Sequence, residues 1–181
     1  MKRGLTILAV AAAILLSVML LHHHLGQRKY GGTPMTHSRS QFTFTVHASL
    51  SVTFPLFGPE GERPWAGSHW DPQFVYPIPA KDIEGAVFRI RHGHHDATWV
   101  NTAFDAQSGH AAYVFIVDNK LATRIDVQLT PFDAATTSVR VIYERTALDP
   151  SVNEDVGEMA QTDPQMGPDW EKSIADHLGS R

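Results

Sequence analysis

The chain has 181 residues, 43% of them apolar and nine of them phenylalanine, enough for one domain with a filled core plus appendages, which excludes global disorder. The absence of cysteine excludes disulfides, cysteine-based zinc sites, a catalytic thiol and a lipid-modified N-terminal cysteine. From Gly26 onward 13 basic residues meet 19 acidic ones, and residues 144–181 hold nine acids against three bases, a balance that argues against binding a phosphate backbone.

The chain starts with Lys2 and Arg3, and Gly4 to Leu21 follow as 18 residues without an ionisable group. As a helix this stretch spans about 27 Å, close to the ~30 Å hydrocarbon thickness of a bilayer. Its small-residue stretch "AVAAA" lies in the middle of the apolar run, so the pattern fits an uncleaved anchor (residues 1–25) better than a cleaved leader. The N-terminal basic residues orient that anchor as a single pass through the cytoplasmic membrane, with the remainder on the extracytoplasmic side. Residues 26–40 lack apolar periodicity and read as a flexible linker, which leaves 41–181 as the domain. His22, His23 and His24 read as polar residues at headgroup level rather than as a metal site.

The domain opens on "QFTFTVHA", where Phe42, Phe44 and Val46 alternate with Thr43 and Thr45 as in a half-buried strand. A short helix is predicted near Ser51–Phe57. Pro55, Pro59, Pro64 and Pro72, with Gly58, Gly61 and Gly67, make the segment to residue 72 irregular, yet it carries Trp65 and Trp70. Such a segment belongs at the surface, and two indoles in it suggest the rim of an apolar cavity.

Strand patterns follow in "QFVYP", "GAVFRIR", "TWVNTAF", "AAYVFIV", "ATRIDVQLT" and "TSVRVIYERT", with turns at "DNK" and "PFDAAT". Ile125, Val127 and Leu129 share one face of their strand; Val139, Val141 and Tyr143 share the buried face of the next. In the tail, Ser151 and Glu154 have capping-box spacing, and Val152, Val156 and Met159 share a helix face. "TDPQMGP" interrupts, Pro168 suits a first helical position, and Trp170, Ile174 and Leu178 form one apolar stripe ending at Gly179. The layout is α+β: a curved antiparallel sheet of about six or seven strands with a terminal helix over its concave side.

These residues resemble the SRPBCC superfamily, the START-like and polyketide-cyclase-like domains of Bet v 1-type helix-grip fold. The resemblance covers residues 41–179 and rests on "FTFTVHAS", "FPLFGPEGERPWAGSHWDPQFVYP", "GAVFRI", "ATWVNTAFD", "SVRVIYERTAL" and the closing "WEKSIADHL". It implies seven antiparallel strands wrapped around a long C-terminal helix and enclosing a hydrophobic pocket. Asp163-Pro164 and Gly167-Pro168 depart from it, since they should break or shorten that helix. The superfamily has no common catalytic motif, so no catalytic residue is assigned.

His92, His94, His95 and Asp96 are ligand types that zinc accepts, but a polar hairpin loop explains them without a metal, and no metal or other cofactor is expected. Glu60/Glu62 and Glu154/Asp155 read as solvated. His47 and His69 are candidates to reach the pocket as acid or base. Trp65, Trp70, Trp99 and Tyr113 are the expected ligand-binding aromatics, while Trp170 anchors the last helix. The leading expectation is a membrane-tethered domain binding a hydrophobic small molecule or lipid. The alternatives are a cyclase-like or hydrolase-like enzyme using a pocket histidine or carboxylate, and an envelope protein-interaction module with a vestigial pocket.

Overall fold

The computed structural model describes residues 32–92 and 95–180. The expected anchor and the first part of the linker, residues 26–31, lie outside them, as does His94. Among the described residues no helix is long and apolar enough to cross a membrane. Residues 35–181 form one compact unit.

Seven strands make one antiparallel sheet in the order β1-β7-β6-β5-β4-β3-β2. They are β1 (His37–Val46), β2 (Gln73–Tyr76), β3 (Val87–His92), β4 (His95–Asp105), β5 (His110–Val117), β6 (Leu121–Asp133) and β7 (Thr136–Ala147). From β2 to β7 the chain is a meander, and β1 closes the sheet by pairing with the last strand. Period-two burial is clearest in β1, where the buried residues are Ser40, Phe42, Phe44 and Val46, with polar neighbours between them. That strand starts at His37, inside the expected linker. Its pairing partner explains the extension, because β7 offers backbone groups as far as Thr146, opposite His37.

The turns follow local chemistry. Asp118 and Asn119 have φ of 44° and 57°, as the two central residues of a type I′ hairpin require, and Lys120 N–H donates to the Val117 carbonyl. The β6–β7 turn is tighter than expected, since Pro131 to Asp133 still belong to β6; Asp133 Oδ1 accepts from Ala135 N–H at 2.8 Å.

Segment 50–72 folds into helix α1 (Leu50–Thr53), a 3-10 turn (Phe54–Phe57) and a run of tight turns. Gly61 allows the tightest approach: a Cβ there would lie 1.8 Å from the Pro55 carbonyl oxygen. Asp82 accepts from the Glu60 and Gly61 N–H groups at 2.8 and 3.1 Å, and Arg63 pairs with Glu60 and Asp71 at 2.8 and 2.6 Å. The segment is therefore a packed wall rather than a solvated loop, with Phe54, Leu56, Phe57 and Trp65 buried.

The tail is interrupted at Pro164 as expected, but its last helix starts before Pro168. Helix α2 (Asn153–Thr162) runs through a 3-10 turn (Asp163–Gln165) directly into helix α3 (Met166–Gly179). Pro164 opens the 3-10 turn and Pro168 sits in the first turn of α3, positions that need no intrahelical N–H bond, so neither ends the helical path. The expected Ser151–Glu154 capping box does not form; instead Asp149 Oδ1 accepts from Ser151 N–H at 2.8 Å one turn earlier. Ile174 is fully buried, and Trp170 packs edge-on against Phe42 and Phe44, with ring centroids 5.4 and 6.2 Å away. Gly167 fits over the same phenylalanines.

Candidate functional site

Register sets the floor of the site. Inward-facing neighbours cross the sheet in two rows, Trp99–Phe115–Thr123–Arg145 and Asn101–Tyr113–Ile125–Tyr143. Segment 54–72 stands at one side of these rows and α3 at the other. Between them lies a cavity of about 420 Å³, within the range of small-molecule sites. The sheet contributes Trp99, Tyr113, Phe115, Ile125, Val127, Tyr143 and Arg145 to the lining. The loop wall adds Glu62, Trp65, Ala66, His69 and Trp70, and the helix adds Met166, Asp169, Trp170 and Ser173.

All four expected aromatics meet at this cavity. Trp65 is buried in its wall rather than at its rim, with Nε1–H donating to the Leu56 carbonyl at 2.8 Å. Trp70 is half-buried and donates to the Pro59 carbonyl at 2.9 Å. Its ring stands nearly perpendicular to Trp99, with centroids 5.3 Å apart; Trp65 and Trp170 form a second edge-on pair at 5.4 Å. Trp99 stacks on Phe115 at 4.0 Å. Trp170 both anchors the helix and lines the cavity.

The carboxylates divide differently from expectation. Glu154 and Asp155 are exposed, and Glu60 pairs with Arg63. Glu62, expected to be solvated, is buried in the cavity wall. The backbone explains why. Helix-like bonds from Glu62 N–H to Gly58 and from Ala66 N–H to Glu62 coil the chain there, which turns Glu62 to the same side as Trp65 and Ala66. Burial pushes its pKa up to about 8; the Tyr113 hydroxyl, 3.2 Å from Oε1, works against the shift and the Asp82 charge adds to it. The Tyr113 hydroxyl also donates to the Phe57 carbonyl. Its single proton is therefore shared between two acceptors, the Phe57 carbonyl and Glu62 Oε1, of which the carbonyl is the nearer.

A second polar group lies further along the floor. Both terminal guanidinium nitrogens of Arg145 bond Asp163, which also accepts from Ser40, and the guanidinium carbon lies 4.3 Å from the centre of the Tyr143 ring. Thr123 Oγ1, in the same row as Arg145, is buried without a hydrogen-bond partner among the described residues. Burial holds the hydroxyls of both Tyr113 and Tyr143 well above the usual tyrosine range.

The histidines separate. His69 reaches the lining and is exposed at its edge. His47 does not: it is exposed just past the end of β1 and borders a shallower depression beside α3. His92 and His95 face each other in the β3–β4 register, and the His95 ring bonds Asp118. Among the described residues no group of three or more His, Asp or Glu side chains is placed to hold a metal.

Sequence reasoning missed Glu62, Arg145 and Asp163. For Arg145 the signal was present: it has the same strand parity as Val139, Val141 and Tyr143. Asp163 carried no such signal, because its burial depends on how the 3-10 turn meets β1 and β7.

No protein-family model and no curated protein matches the chain. Solved structures do. Norcoclaurine synthase from Thalictrum flavum, in complex with dopamine and hydroxybenzaldehyde, aligns with a TM-score of 0.60 at 11% identity, covering 81% of this chain and 89% of that one. Ara h 8.0201 aligns with a TM-score of 0.59 at 12% identity over 81% of this chain and all of the other. Mll3558 from Rhizobium loti aligns with a TM-score of 0.56 at 16% identity, again over 81% of this chain and the whole of its own. Identities this low speak to architecture alone, and the architecture they share with this chain is the Bet v 1-like helix-grip fold.

Proposed function

We propose that this protein is a membrane-tethered extracytoplasmic domain that holds a hydrophobic small molecule or lipid between its sheet and its closing helix. The observation that carries the proposal is the cavity itself, about 420 Å³ walled mainly by indole, phenyl and aliphatic groups. Burying about 300 Å² of apolar ligand surface at about 25 cal/mol per Å² stabilises a complex by about 7 kcal/mol before the entropy of association is subtracted. Norcoclaurine synthase, of the same fold, is solved with two small aromatic molecules, dopamine and hydroxybenzaldehyde. The tether rests on the apolar run of residues 4–21.

Titrating the full-length protein with a fluorescent fatty probe tests the pocket. Saturable uptake that is lost when Ser173 is replaced by tryptophan supports it. No uptake removes its basis and leaves the protein-interaction reading. Protease accessibility in sealed cells tests the topology.

One observation favours a second reading, acid–base chemistry on the bound molecule. Glu62 is protonated near pH 7 inside the cavity, as a general acid must be. A Glu62→Gln variant that binds ligand normally but turns nothing over supports that reading, whereas unchanged turnover excludes Glu62 as the acid.

A further inference from the structure

The charges on the cavity lining do not balance. Arg145 is its one permanently cationic side chain, and Asp163 occupies both terminal nitrogens of that guanidinium. Asp169, exposed at the edge, and Glu62, buried in the wall, form no ion pair among the described residues. Around them stand the indoles of Trp65, Trp70, Trp99 and Trp170 as two edge-on pairs. Perpendicular rings turn π-faces in more than one direction, and an organic cation is attracted to such faces most strongly where water is excluded. An anionic ligand would meet two carboxyl groups and an arginine already engaged.

We propose that the cavity selects a hydrophobic organic cation, a tertiary or quaternary ammonium on an aliphatic or aromatic body, held among the tryptophans with Glu62 and Asp169 as its counter-charges. This rests on reading the cavity as a ligand site and goes further by naming the ligand's charge. The state of Glu62 agrees with it. Burial keeps that carboxyl protonated up to about pH 8 because nothing positive lies beside it, and a bound ammonium supplies what is missing. The groups facing Glu62 are Tyr113 from β5, Tyr143 from β7 and Asp82 from the loop before β3. Beyond them on the lining stand His69, Asp169 and Arg145, the last of these bonded to Asp163.

Three probes of similar shape separate charge from shape: benzyltrimethylammonium, its neutral carbon isostere neopentylbenzene, and 3-phenylpropionate. Each is titrated into the full-length protein by tryptophan fluorescence, with free concentrations fixed by equilibrium dialysis. The cation is expected to bind at least about tenfold tighter than the isostere, with 3-phenylpropionate weakest. Its charge does not titrate, so its affinity should rise between pH 7 and 9 as Glu62 ionises; in Glu62→Gln it should stay flat. Asp169→Asn, at an exposed position, should weaken the cation about threefold without affecting the isostere, which keeps the test valid if Glu62→Gln fails to fold. Equal or tighter binding of neopentylbenzene, or preference for 3-phenylpropionate, overturns the cation proposal and leaves the cavity a ligand site. Binding of none of the three overturns both.

Discussion

Glu62 sits where a carboxylate is costly, and its consequences can be measured. Its pKa rises on folding from 4.5 to about 8, so the folded state holds a proton that the unfolded state has released. The stability contributed by the neutral carboxyl is fully present below about pH 4.5 and is lost as pH rises through about 8. Thermal unfolding should show the protein losing several kcal/mol across this window relative to Glu62→Gln; parallel curves would refute the assignment. Asp163 makes the opposite case, a buried charge with its partners in place. Asp163→Asn should cost about 3–5 kcal/mol in denaturant unfolding, because it leaves Arg145 buried and uncompensated. Replacing both, with Arg145→Met and Asp163→Leu, should restore most of that loss.

At the scale of elements, the strands were legible and the polar joints were not. Period two marked β1, β6 and β7, and in β6 Ile125, Val127 and Leu129 fall on the buried face as the alternation requires. By contrast, β2 and β5 do not alternate and were marked by β-prone runs between turns. At the closing helix Pro164 does interrupt the α-helix, with a 3-10 turn, whereas Pro168 lies inside the first turn of α3, which begins two residues before it. Segment 54–72 read as surface on composition, and only the close approach at Gly61 and the Trp65 and Trp70 hydrogen bonds make it a wall. The helix–sheet contact depends on the apolar stripe that the sequence did show. Ile174→Ala, at a fully buried position on α3, should destabilise the domain by about 2–5 kcal/mol. A loss below about 0.5 kcal/mol would mean that α3 is not packed on the sheet.

At the scale of the molecule, the site exists because the two sides of the fold leave space that their own side chains do not fill. The sheet supplies aromatic rings in register, the irregular segment supplies two tryptophans and a neutral acid, and the helix closes the third side. Trp65, Trp70, Trp99 and Tyr113, expected from the sequence to bind ligand, all line one cavity, since bulky aromatics on inward parity or in a surface segment have few other places to go. The sequence could not place Glu62 there, since a carboxyl's burial is decided by tertiary coiling rather than by local pattern. Under the tether proposed above, removing residues 1–31 should move the protein into the soluble fraction, measured by fractionation; an unchanged distribution would contradict the tether. The most direct test is native mass spectrometry of the full-length protein purified from the cells that make it, followed by organic extraction. The account predicts one organic molecule retained per chain in the wild type and none in Ser173→Trp; a wild-type protein whose mass is that of the bare chain, with nothing in the extract, would contradict it.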